Sequence, residues 1–251
     1  MRVIAVWSIK GGVGKTTAAV NLAALAAREG ARALLWDLDP QGGASFLLRV
    51  SPRRKASPRR LARRSVELRR MVRATDVPNL DLLPSDLTYR TLELELNARK
   101  SPSRRLAVKL TPLDGHYDWV VLDCAPSVTL VSEAVLHAAD DLLVPVIPSA
   151  LSLRTLEQTR RFIAQTRSKA VRVLPFLSMV DRRRRLHREG CERFAGGAEG
   201  FLRTIVPMSS IVERAAEARL PLFAVAPSSR ATRAFASLWQ EVREQSASPT
   251  D

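Results

Sequence analysis

Eight residues near the start of the chain constrain its fold more than any other feature. Lys10-Gly11-Gly12-Val13-Gly14-Lys15-Thr16-Thr17 follows a short apolar run, Val3 to Trp7, and opens a segment reaching Arg28. Along that segment Ala19, Leu22, Ala23 and Ala26 recur at helical spacing, and Gly30 stands where a C-cap would. Strand, glycine-rich turn and helix, in that order, is the setting in which backbone N–H groups curl around a phosphate. The helix N-terminus adds partial positive charge. In this reading Lys15 reaches the β- and γ-phosphates of a nucleotide, and the Thr16 hydroxyl ligates Mg²⁺. The plainer alternative is a turn that only joins strand to helix.

The rest of the chain repeats the pattern. Ala33 to Trp36 reads as a buried strand closing on Asp37-Leu38-Asp39-Pro40, and Trp119 to Leu122 ends on Asp123. Leu142 to Ile147 ends on Pro148, and Val171 to Leu174 leads to Met179-Val180-Asp181. Helices are expected between them, near 128–138, 152–168 and 183–195. Such alternation predicts an α/β fold, a mostly parallel twisted sheet with helices on both faces. Chemistry in such folds gathers at the carboxyl ends of the strands. Residues 1–245 are expected to form one domain, with 246–251 as a disordered tail. Within the domain, 49–73 carries eleven arginines and lysines against Glu67 alone. It reads as a basic surface insertion, with a helix from Pro58 to about 73 and a partial apolar face of Leu61, Val66, Leu68 and Met71.

Lys and Arg number 40 against 25 Asp and Glu, a formal charge of +15. That surplus favours polyanionic partners. Most of it is Arg, however, as a GC-rich genome would produce. Two cysteines, Cys124 and Cys191, exclude a disulfide framework and a cysteine-only zinc site. His116, His137 and His187 form no spaced ligand set. Without a secretory pattern or an apolar stretch of about 18 residues, a cytoplasmic chain is expected.

The loop also carries a resemblance. Lys10-Gly11-Gly12-Val13-Gly14-Lys15-Thr16-Thr17 resembles the deviant Walker A motif of the ParA/MinD family of P-loop ATPases, most closely the small Soj-like partition ATPases. In that family a signature lysine, here Lys10, crosses a nucleotide sandwich dimer to the partner's phosphates. Asp37 to Gly42 looks like the first switch, Asp123 to Ser127 like the second, and Pro207 through Pro221 to Arg230 like the C-terminal region. The resemblance implies ATP and Mg²⁺ as ligands. It gives Lys10, Lys15 and Asp39 catalytic roles, with Asp39 acting on the attacking water. Thr16, and Asp123 through a water, would hold the metal. Asp37 would support the switch, and Pro207 and Ser209 would lie against the adenine, although the family often has Asn at the latter position. Cys124 is expected to pack beside the second switch.

By the same resemblance the ATP-bound homodimer binds DNA nonspecifically. Arg182, Arg183, Arg184 and Arg185 are the candidate contacts, Arg183 standing nearest the family's position. Where many relatives have Pro-Arg-Asn, this chain has Pro207-Met208-Ser209 and lacks that arginine. A ParB-like or other activating partner, a weak hydrolysis that it stimulates, and a nucleoid-associated role in plasmid or chromosome partition or cargo positioning complete the expectation. A MinD-like membrane or scaffold protein is the alternative, and a nonenzymatic DNA-compacting protein a third. Phe235, Leu238, Trp239 and Val242 form an amphipathic stripe, expected to pack on the chain's own body rather than on a membrane.

Overall fold

The computed structural model describes residues 1–52, 68–98, 101–166 and 171–247, except for the side chain of Ala195. Among the described residues eight strands form one sheet: β1 (Arg2–Val6), β2 (Ala33–Asp37), β3 (Arg73–Ala74), β4 (Leu80–Leu83), β5 (Trp119–Asp123), β6 (Asp141–Val146), β7 (Arg172–Val180) and β8 (Ile205–Pro207). Their order is β3-β4-β2-β5-β1-β6-β7-β8, and every pairing is parallel except β3 with β4. β1 therefore lies centrally, with β5 on one side and β6 on the other, and its carboxyl end opens into the glycine-rich loop.

Alternation along each strand sends neighbouring residues to opposite faces. Val3, Ala5 and Trp7 enter one core with Leu34, Trp36, Val120 and Leu122, whereas Ile4 and Val6 enter another with Leu35 and Val121. Helices cover both cores: α1 (Lys15–Arg28), α2 (Gly43–Leu47), α3 (Leu92–Asn97), α4 (Arg105–Leu110), α5 (Leu130–Ala138), α6 (Ala150–Gln165), α7 (Arg185–Arg193), α8 (Ser210–Ala218), α9 (Leu222–Val225) and α10 (Arg230–Ala247). The alanine-rich face of α1 permits close approach, and Ala19, Leu22, Ala23 and Ala26 are all fully buried. The stripe Phe235, Leu238, Trp239 and Val242 on α10 shares that core, with Trp239 edge-on to Trp119 at 4.9 Å.

Two expectations need correction, and one strand is unforeseen. The helix expected to reach residue 73 does not: Leu68–Arg70 is a single 3₁₀ turn and Arg73–Ala74 a strand. The remainder of that expectation, residues 53–67, lies outside the described residues. Residue 246 does not belong to a disordered tail: α10 continues to Ala247 and buries Ser246, whose hydroxyl donates to Asp141 at 2.7 Å, while 248–251 lie outside the described residues. β4 was not anticipated; its four residues pair with β2 from Ala33 to Trp36.

Candidate nucleotide site

The loop between β1 and α1 is held open by backbone conformations that glycine adopts without strain. Gly12 has φ 68° and Gly14 φ 91°, and Gly14 caps the helix without a side chain in the way. A Cβ at Gly14 would stand 3.2 Å from the Ser178 hydroxyl. That hydroxyl donates to the Val13 carbonyl at 2.9 Å, tying the loop to β7. The N-terminus of α1 thus faces the crevice with free N–H groups and no side-chain cap.

Two lysines meet in this loop. Lys15 is 6% exposed and donates to the Lys10 carbonyl at 3.0 Å. Burial lowers its pKa, while Asp123, Asp39 and Cys124 act in the opposite direction. Lys10 extends the other way, its ammonium 3.0 Å from the Ser152 hydroxyl in the first turn of α6. Ser149, the N-cap of that helix, donates to Ser152 as well. Neither serine was singled out from the sequence, where two hydroxyls at a helix start carry only a capping signal.

The aspartates occupy different environments. Asp37 and Asp123 are opposite one another on adjacent strands, and both are fully buried. Asp37 accepts from the Ser45 N–H at 2.9 Å, the Ser45 hydroxyl at 2.7 Å and the Asp39 N–H at 3.2 Å. Burial raises its pKa to about 6, with the charge of Asp39 adding and the Ser45 hydrogen bonds opposing. Among the described residues, neither oxygen of Asp123 has a hydrogen-bond partner of normal geometry. Burial first, then Asp37, pushes its pKa well up, although the Thr16 hydroxyl and Lys15 favour the charged form. Asp39 is partly exposed and accepts from the Gln41 N–H at 2.9 Å. Cys124, the residue after Asp123, is buried, and burial raises its thiol pKa.

A buried carboxylate without a partner calls for a cation or an ordered water. Asp123 and the Thr16 hydroxyl fit Mg²⁺, a hard cation that takes oxygen donors and commonly keeps waters alongside substrate phosphates. No cluster of three or more His, Cys, Asp or Glu suited to a metal occurs among the described residues, so a dedicated all-protein cage is not available there. A Mg²⁺ shared with phosphates needs none.

Beside the loop lies a cavity of about 880 Å³. Its lining includes Gly12, Gly14 and Thr17 from the loop and α1, and Pro207, Ser209 and Glu213 from β8 and α8. Met179 also faces it from β7, where a register shift and a left-handed backbone (φ 53°) bend the strand. The size suits a nucleotide-scale ligand. Ser209 is the N-cap of α8, and its hydroxyl accepts from the Ile211 N–H at 3.3 Å.

The four arginines do not behave alike. Arg183 forms a two-pronged pair with Asp181 at 2.9 Å, and Arg185 pairs with Glu189 at 2.6 Å. The side chains of Arg182 and Arg184 form no ion pair among the described residues. Arg182 and Arg183 also line the cavity wall, so the cluster borders the candidate nucleotide site as well as solvent.

Comparisons with known proteins bear on this geometry. A family model described as an AAA domain matches residues 1–175. The sporulation initiation inhibitor protein Soj of Bacillus subtilis is 30% identical over 250 residues, 96% of this chain and 98% of Soj. The chromosome partitioning protein ParA of Caulobacter vibrioides is 34% identical over 193 residues, 74% of this chain and 72% of that protein. Among solved structures, cobyrinic acid a,c-diamide synthase from Mycobacterium smegmatis with bound ATP analog and magnesium has a TM-score of 0.80 at 28% identity. That match covers 98% of this chain and 96% of the synthase. With its loop, its strand-end aspartates and these relatives, the chain belongs to the ParA/MinD family of P-loop ATPases.

Proposed function

We propose that this chain is a ParA-like partition or positioning ATPase that binds ATP with Mg²⁺ and dimerises around it. The carrying observation is the convergence of Lys15, Thr16 and the unpartnered Asp123 at one helix N-terminus. Glycine N–H groups and Lys15 would bind the phosphates. Thr16 and, through a water, Asp123 would hold Mg²⁺, which when bound neutralises charge on the phosphate oxygens. Asp39 would orient the attacking water. Lys10, now 3.0 Å from Ser152, has to leave that contact to reach a partner's phosphates, which makes hydrolysis depend on the dimer. Pro207 and Ser209 would border the base.

The charge surplus and the exposed Arg182–Arg185 cluster support nonspecific DNA binding by that dimer, with hydrolysis releasing it. An activating partner, ParB-like or otherwise, would accelerate the release and supply the cargo. The test is DNA binding measured with ATP, ADP and no nucleotide at two salt concentrations, with light scattering for mass. ATP-dependent dimers that bind DNA are expected. A mass unchanged by a non-hydrolysable analogue would overturn the dimer, and equal DNA affinity in all three nucleotide conditions would overturn the coupling.

A further inference from the structure

One helix joins the cavity wall to the segment that follows β2. α8 is capped by Ser209 and presents Val212 and Glu213 to the cavity in its first turn. Nine residues and about 13 Å later it ends at Ala218. That end is clasped to α2 from both sides. The Arg49 guanidinium, just after α2, donates to the Ala218 carbonyl at 2.6 Å, at the negative end of the helix dipole. Arg219, the C-cap of α8, places its guanidinium 3.8 Å from the centre of the Phe46 ring. This contact covers part of an aromatic side chain that remains 53% exposed.

α2 in turn touches the candidate catalytic groups. Its Gly43 backs onto Thr16, where a Cβ would lie 3.1 Å from the Thr16 methyl. Ser45 holds Asp37 through two hydrogen bonds, and its hydroxyl accepts from the Ser85 N–H at 3.0 Å. Gly42, the α2 N-cap, donates its N–H to the Asp39 carbonyl at 2.9 Å. A short five-residue helix and its N-cap thus contact Thr16, Asp37 and Asp39, and two arginine clasps tie it to α8.

We propose that α8 is a strut between the base end of the nucleotide and the first switch. A base against Ser209–Glu213 fixes α8; Arg219 and Arg49 transmit that position to α2; α2 then sets Thr16, Asp37 and Asp39. Arg49 and Arg219 are positioning residues: neither lines the cavity, yet they act on the groups that meet the phosphates. The consequence is base dependence: phosphates alone fill the loop without setting the switch. The inference rests on the nucleotide reading above.

The test compares amide exchange over residues 42–50 in the full chain with Mg²⁺ plus a non-hydrolysable ATP analogue and with Mg²⁺ plus inorganic triphosphate. Calorimetry establishes saturation by each. In the unaltered chain the analogue should slow exchange about tenfold more than triphosphate does. In R49A/R219A that difference should shrink to about twofold or less, and R49K/R219K, which keeps both cations, should restore most of it. If the alanine pair does not fold, Phe46→Leu removes the ring and gives the same comparison. Equal protection by the two ligands in the unaltered chain would overturn the strut, as would a full difference persisting in R49A/R219A. No uptake of the analogue by the unaltered chain would instead overturn the nucleotide reading, and the strut with it.

Discussion

Three aspartates close to strand ends differ more in surroundings than in sequence. Asp39 is partly exposed, and among the described residues its carboxylate is held by the Gln41 N–H of a short turn, which leaves the side chain able to reorient toward a water. Asp39→Ala should slow ATP hydrolysis by two orders of magnitude or so, about the value of one positioned acid–base group, while ATP-dependent dimers persist. Monomers in ATP, seen by light scattering, would contradict that role. Asp37 is fully buried, with its pKa raised from 3.8 to about 6 chiefly by burial. A raised carboxyl pKa means that the folded chain holds this proton more tightly, so stability falls as pH rises from 3.8 to about 6. In the absence of nucleotide, Asp37→Asn should therefore stabilise the chain by up to about 3 kcal/mol at pH 7 and by well under about 1 kcal/mol at pH 4. Urea midpoints at the two pH values test it, and a gain of equal size at both would refute the assignment. Residue types and spacing were legible at this scale, since the loop, Asp39 and Asp123 stand out by their context. Partners were not. Ser45, Ser152 and Ser178 look alike in the sequence, and only folding brings them to Asp37, Lys10 and Val13.

Elements were legible where one periodicity ran unopposed. β1, β2 and β5 are five residues each, largely apolar and buried on both faces, so their strand character needs no partner information. β4 has only Leu80-Asp81-Leu82-Leu83, and Asp81 breaks the run. Its pairing with β2, and a hydrogen bond from the Tyr117 hydroxyl to Asp81 at 2.7 Å, settle what local preference does not. The end of α10 was misread for a related reason: Ser246 and Ala247 precede a polar, proline-containing end, and the sequence does not reveal a buried acceptor a hundred residues earlier. That acceptor, Asp141, is fully buried and receives Arg2, Arg172 and the Ser246 hydroxyl. Burial would raise its pKa, but hydrogen bonds from Ser246, Arg172 and Arg2 outweigh it and leave the carboxyl below 3.8. The stability that Asp141 contributes is thus present above 3.8 and is lost as pH falls below it. Ser246→Ala should cost about 1.5–3 kcal/mol at pH 7, the worth of a hydrogen bond to a charged group. A smaller cost at pH 3 than at pH 7 is expected in urea unfolding. No cost at either pH would return residue 246 to the tail.

For the whole molecule, sequence gave the class of sheet but not the order of its strands, because parallel neighbours need no closeness along the chain. β1 lies between β5 and β6, over a hundred residues away, and this central placement puts the loop at the crevice where the strand order reverses. Net charge has the same character: +15 is a property of the composition, whereas its use depends on which cations remain unpaired. In the Arg182–Arg185 cluster, pairing with Asp181 and Glu189 occupies Arg183 and Arg185, and leaves Arg182 and Arg184 without ion pairs among the described residues. Arg184 lies outside the cavity lining, so its removal separates DNA contact from nucleotide contact. Each phosphate neutralised adds about 0.9 to the slope of log affinity against log salt. If both free arginines meet phosphates, Arg184→Ala should reduce the magnitude of that slope by about 0.9 and R182A/R184A by about 1.8. The loss should be the same on unrelated DNA sequences, since phosphate contacts carry no base information. Dimer mass with an ATP analogue should not change for Arg184→Ala. An unaltered slope in the double variant, with DNA binding retained, would move the interface to another basic surface of the chain.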